Sequence, residues 1–405
     1  MMIESYITEA RRSRPSSRDL ADHYADVYGS LLSCLKDATN PPRLHVAYTI
    51  DRRSEFLILG GIGYIVHDQY LGQSFNKLNR ILFARHGSAK LSQSYACKFL
   101  AERFVTLGCH KLALLTGLLC RQFEARAFEG GDPNDIAVET EAVRLNMTTV
   151  QESFVLAHEL GHFMFPRDED NFMKVVRGRL EEFFTFKEMM ETVEEGAGEG
   201  VSNRDFKDGS KHYREILASN EADYILELFA DDFGGLISTQ TSHYVYGIPL
   251  SQCCLGLILA FKYTRLFRHL ELMARILAPL ETMENSEAIA VLLSDLDQSI
   301  WDPAEKRIAF YQLREHVLRH SVTYPSLVWG FEEIDEADPV DVSDRVSQYD
   351  ELIEFPVVFS LVDVLKEVVS SGLLASVSEM ATDPVSAVRT VDELTGWIPP
   401  STRGR

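Results

Sequence analysis

Apolar residues recur along this chain in two rhythms, one near the start and another almost everywhere else. Alternation with β-branched and aromatic residues predicts strands over residues 43–50, 56–59 and 64–67, with Gly60, Gly61 and Gly63 punctuating the last two. The glycine cluster lacks the Lys-Ser/Thr ending and helical context of a phosphate loop. Helical spacing begins near Ser17, resumes over 91–126 and again over 171–195, and then holds from Gly235 to about residue 320. A last helix is expected over about 356–370. The segment Asp135-Ile-Ala-Val-Glu139 reads as a strand, a candidate sheet edge for an extended peptide. The glycine-rich stretch 196–209 reads as a surface loop or a lid, and the ten acids of 332–354 as an exposed acidic connector. The expected fold is α+β and mostly helical, with a small mixed sheet and a helical C-terminal part. Four segments are expected: an N-terminal α/β part (1–130), a core (131–330), the connector (331–354), and a final helix and tail (355–405).

Within the core, Val155-Leu-Ala-His158-Glu159-Leu-Gly-His162-Phe-Met164 carries no charge outside its central pentapeptide. Two histidines four apart share a helix face, because each residue turns the helix by about 100°. His158 and His162 can therefore grip one metal ion, with Glu159 placed to act as general base on a metal-activated water. Thr149 and Glu152 have capping-box spacing and Pro166 follows the motif, so the helix is expected to start near Thr149 and end near Pro166. A catalytic zinc needs a third protein ligand. The run Glu227-Leu-Phe-Ala-Asp231-Asp-Phe-Gly234 offers one on a second helix, expected from a Ser219/Asn220 cap to a stop at Gly234-Gly235. Glu227 would bind the ion, and Asp231, four residues on, would accept from the far nitrogen of a ligating imidazole. Glu221 is the competing ligand. The bland alternatives are two satisfied core histidines and a solvated acidic helix face.

These two motifs together resemble the gluzincin zinc metallopeptidases. The CAAX-prenyl-protease-like and HtpX-like enzymes share the Glu-x-x-x-Asp second motif. The ImmA/IrrE-like soluble bacterial peptidases share Glu-x-x-Ala-Asn/Asp-x-Phe-Ala, which Glu227 to Gly234 fit with Gly in the last place. The resemblance spans the two motif helices. It implies a zincin-like core with the sheet beside the HExxH helix, one zinc ion on His158, His162 and Glu227, and Glu159 as catalytic base of a metalloendopeptidase. Where the first group carries a later His-Pro element, this chain has Thr323-Tyr-Pro-Ser326, and Gly235-Leu-Ile-Ser238 replaces the Leu-Leu-Met-Pro of the second. The subfamily is left open. Donors for an oxyanion are sought after Glu227: Tyr324, His243 and Tyr246 first, with Tyr244, Arg314, His316, Arg319 and His320 beside them. The alternative function is a catalytically degenerate zincin that binds a partner in a regulatory role, for example in stress or phage response.

Composition narrows the setting. The 405-residue chain is long enough for one large core or two to three domains. A net charge of −21 argues against nonspecific nucleic-acid or anionic-membrane partners; a peptide or protein substrate is what the resemblance implies. The most apolar run, 250–261, is too short to span a bilayer and predicts a buried helix. The start of the chain has no secretory pattern, and six cysteines without paired spacing suggest reduced thiols, so a cytoplasmic location is expected.

Overall fold

A computed structural model of the chain describes all residues except 1–2, 8–13, 16–17, 36–38, 130–131, 133–134, 197–208, 302–305, 324–328, 330, 332–341, 372, 379–382 and 396–405. The architecture is α+β and mostly helical, as the hydrophobic spacing predicts. Of the expected loop 196–209, Gly196 and Gly209 belong to helices and residues 197–208 lie outside the described residues.

Strands β2 (Arg43–Tyr48), β3 (Glu55–Leu59) and β4 (Ile62–Asp68) form a mixed sheet, with a two-residue β1 (Arg14–Pro15) at one margin. The order is β1-β2-β4-β3. β4 is central and buried, parallel to β2 and antiparallel to β3. Gly60 and Gly61 both have positive φ, 58° and 81°, which lets two residues close the β3–β4 hairpin with the twist its strands need. Asp68, at the end of β4, accepts from Thr49 N, Thr49 Oγ1 and Arg52 N. Those bonds hold Arg52 at a φ of 50° and fix the turn that delivers the chain into β3.

The helices then follow in sequence. α1 is Arg18–Ser33, α2 is Gln69–Phe83, α3 is Ala89–Thr106 and α4 is His110–Phe128. The motif helix α5 runs Val138–Met164. After it come α6 (Glu169–Gly196), α7 (Gly209–Ser219), α8 (Glu221–Gln240), α9 (Leu250–Leu277), α10 (Ser286–Trp301) and α11 (Lys306–Thr323). Helices α12 (Val342–Tyr349), α13 (Leu361–Ser370), α14 (Leu373–Ser378) and α15 (Pro384–Thr395) close the chain. Among the described residues no helix is long and apolar enough to cross a membrane, and α9 contains the predicted buried run.

Three hydrophobic clusters meet along α5. Met147, Val150 and Phe154 join the largest, which links α2–α4 to α9 and α12–α15 across the expected segment boundaries. Leu156, Ala157 and Leu160 join α1 and the sheet. A cluster of α6, α7, α8 and α11 residues around Phe229 and Leu313 closes the third side.

α5 begins before Thr149. Thr149 Oγ1 instead donates to Leu145 O, one turn back within the helix. Glu152 accepts from Tyr24 Oη at 2.7 Å and contacts His23 Nε2, so it is a packing anchor rather than half of a capping box. The longer helix also takes in residues 138–139, and Ile136 makes only an isolated bridge to Ala84, so the expected edge strand at 135–139 does not form. The sheet edge that meets the motif helix at Glu159 is β3. α8 likewise passes through Gly234 and Gly235 without stopping. A Cβ on Gly234 would lie 2.9 Å from His158 N, and one on Gly161 would lie 2.8 Å from Ala230 Cα. These glycines are contact points between α5 and α8. Of the expected acidic connector, residues 332–341 lie outside the described set, and 342–354 are helical with Val346, Tyr349 and Ile353 buried. Its acids Asp350 and Glu354 pair with Lys262 and Arg265 of α9.

Candidate metal centre

α5 and α8 bring His158, His162 and Glu227 together, and one ligand atom from each lies within 4.8 Å of the others. His158 Nε2 and His162 Nε2 are 3.1 Å apart, and Glu227 oxygens stand 3.7 Å from the first and 3.6 Å from the second. Ligands at 2.0–2.2 Å from a tetrahedral ion stand about 3.3–3.6 Å from one another. The donor set is that of a divalent-ion site and its atoms stand near this spacing, so the three residues could hold one ion. Glu221, the competing ligand, sits on the surface and pairs with Arg177.

Asp231 lies 3.0 Å from His158 Nδ1, the nitrogen that faces away from His162. The approach is slanted, a charge contact more than a linear hydrogen bond. It orients the imidazole so that Nε2 points to the other two ligands. Asp231 in turn accepts two bonds from Arg314, from Nε at 2.6 Å and Nη2 at 2.7 Å, while Arg314 Nη1 is 3.0 Å from Glu227. One buried guanidinium thus braces both carboxylates. Burial, the largest single influence, would raise the Asp231 and Glu227 pKa values; Arg314 together with His158, and for Glu227 also His162, outweighs it and holds both below the ordinary carboxylate range.

The imidazoles differ. Burial and neighbouring His158 push the His162 pKa down to about 4, so its lone pair is available at neutral pH. Burial would also lower that of His158, but Asp231 foremost, with Glu227 and Glu159, raises it above 6.5. Because ligands bind deprotonated, a cation entering near neutral pH must displace the His158 proton. Apparent metal affinity is expected to weaken about tenfold per pH unit below the His158 pKa, measured by competition with a chelator of known pH dependence. A flat profile down to pH 5 would show that His158 is not a ligand.

Glu159 is buried at the rim of a cavity of about 610 Å³ that also receives His158, His162 and Glu227. Burial raises its pKa to about 7; His158 and the Phe56 backbone amide act against the rise, and Glu227 adds to it. Phe56 belongs to β3, so the carboxylate sits against the open strand edge. Residues of an antiparallel strand turn both backbone groups to one side. With the Phe56 amide directed at Glu159, Phe56 and Ile58 face outward from the sheet.

Of the expected oxyanion donors, Arg314 lines the cavity, while His243 and Tyr246 do not. His243 contacts Ile248 O through Nδ1, Tyr246 follows it at the far end of α8, and neither lines the cavity. Tyr324 lies outside the described residues. The polar groups that do line it include Tyr311 and Arg268, with Arg268 Nε donating to Tyr311 Oη at 3.1 Å. Tyr311 stands one helical turn before Arg314 on α11, and that i, i+3 spacing was the available sequence signal. Arg268 on α9 carried none.

No family model matches this chain, and no match is found among curated proteins or solved structures.

Proposed function

We propose that the protein is a zinc-dependent endopeptidase of gluzincin type, with His158, His162 and Glu227 as ligands and Glu159 as general base. The observation that carries this reading is one cavity holding three ligand atoms within 4.8 Å of one another, a carboxylate tuned to about 7 and an edge strand. A divalent ion bound there would supply Lewis acidity and a water acidic enough to ionise near neutral pH.

The remaining work falls to the chain. An extended peptide adds to the outward groups of Phe56 and Ile58, which lays its backbone across the cavity mouth. Glu159 takes a proton from the attacking water and returns it to the leaving amine, and a pKa near 7 suits both transfers. Tyr311 and Arg268 supply hydrogen-bond donors toward charge that develops on the carbonyl oxygen. Arg314 keeps Glu227 and Asp231 ionised throughout.

Two measurements test this. Elemental analysis of purified protein should find one zinc per chain, and Glu227→Ala should lose it. Comparative proteomics of cells expressing wild type or Glu159→Gln should show fragments unique to the wild type. Zinc without such fragments would point to the non-catalytic binding role, and no stoichiometric metal would overturn the reading altogether.

A further inference from the structure

Beside the metal cavity lies a smaller one of about 220 Å³, and the two share Arg53 and Arg268. Its wall holds four guanidinium groups, Arg53, Arg103, Arg268 and Arg275, against two carboxylates, Asp51 and Glu271. Counting Glu55, 3.8 Å from Arg53 in the main cavity, the excess is still positive. That is a local inversion in a chain whose net charge is −21. The carboxylates already have partners. Asp51 contacts Arg103 at 3.1 Å, and Glu271 is held by Arg103 and, at 2.7 Å, by Arg268. Arg268 is further fixed by Tyr311 and keeps about a third of its side chain exposed, while Arg53 and Arg275 are exposed. The cavity thus presents positive charge, partly pre-positioned, to whatever enters from the metal side.

The sheet says which part of a peptide that would be. Antiparallel pairing is the more stable mode of strand addition. A peptide antiparallel to β3 runs from the Leu59 end toward Glu55 and Ser54, so the residues after the bond beside Glu159 emerge at Arg53. We propose that this side cavity is a carboxylate-recognising subsite for the leaving side of the substrate. The preferred bonds are then those followed closely by an acidic side chain or by the chain's own terminal carboxylate. This rests on the peptidase reading of the neighbouring site.

Binding separates the two. Zinc-loaded Glu159→Gln protein is titrated with labelled peptides of one scaffold. They carry either Glu or Gln residues in the C-terminal half, with a free or amidated end. A carboxylate in the subsite should tighten binding about tenfold. The preference should weaken with added salt and vanish in an additional Arg53→Gln/Arg275→Gln background, while the neutral amidated peptide binds unchanged. The Glu-containing amidated peptide reports side-chain recognition, and the Gln-containing free-ended one reports terminal recognition. Equal binding of all four peptides, no measurable binding of the acidic ones, or a preference that survives without the two arginines would overturn the subsite. Cleavage by wild type without enrichment of acids after the cut would also remove it and leave the peptidase intact. Selective binding without cleavage would remove the peptidase and leave the subsite.

Discussion

For the proposed peptidase, Glu159→Gln is expected to lower kcat by about 10²–10⁴-fold, the usual worth of a positioned general base, with zinc content and stability maintained. Gln keeps the shape and a carbonyl oxygen for the Phe56 amide but cannot hold the proton of the attacking water. The metal should stay because its three ligand atoms come from other residues. Stability should hold or rise, because burial disfavours the Glu159 charge and so raises its pKa to about 7. That charge costs free energy in the fold, and Gln removes it. The check is steady-state kinetics on a peptide cut by wild type, alongside zinc analysis and thermal unfolding of both proteins. A variant that keeps most of the wild-type rate would remove Glu159 from the chemistry. One that loses zinc would mean it supports the ligands instead.

Arg314→Met is the second large effect and acts on the architecture. It leaves Asp231, with 4% of its side chain exposed, and Glu227 without their shared counter-charge. Breaking a buried pair from one side typically costs about 3–5 kcal/mol, and the metal-free protein should lose about that much in urea unfolding at pH 7. The pH dependence gives a sign. Asp231 in the wild type has a folded pKa below 3.8, held down by Arg314 against the opposing effect of burial. Its contribution is present above the unfolded pKa and disappears as pH falls through the folded one. The gap between wild type and variant should therefore shrink below about pH 4. Zinc affinity should fall as well, because His158 loses an ionised Asp231. Arg314→Lys should recover only part of the loss, since one ammonium cannot match a fork that reaches two carboxylates. A gap that is small or independent of pH would mean that the guanidinium is not what keeps these carboxylates ionised.

The candidate ligand set was legible in the sequence because it obeys helix geometry. The i, i+4 spacings of His158/His162 and Glu227/Asp231 place each pair on one face wherever the helix begins. The strands at 43–50, 56–59 and 64–67 showed themselves by alternation. Helix limits did not. Thr149 and Glu152 have the letters of a cap in the middle of a long helix, and Gly234-Gly235 has the letters of a stop where two helices touch. Local patterns cannot tell a helix end from a tertiary contact, since both favour the same residue types. Arg314 lay among the candidates, but its pairing with the two carboxylates was not legible, because they sit 83 and 87 residues earlier on another helix (314 − 231 and 314 − 227). β3 was recognised as a strand but not as the edge. Which strand ends a sheet depends on pairing, and β4 returns to lie beside β2 with β3 outside.

The glycine contacts between α5 and α8 have a consequence for the choice of metal. At Gly161 and Gly234 the two helices meet with almost no side chain between them, and a backbone in van der Waals contact can be neither compressed nor re-rotamered. The spacing of the two backbones from which Glu227 and the imidazoles reach toward one another is therefore set by main-chain contact as the chain folds. A small tetrahedral cation has little to reorganise on entry, while a larger one that asks for more oxygen ligands would have to pry two helices apart.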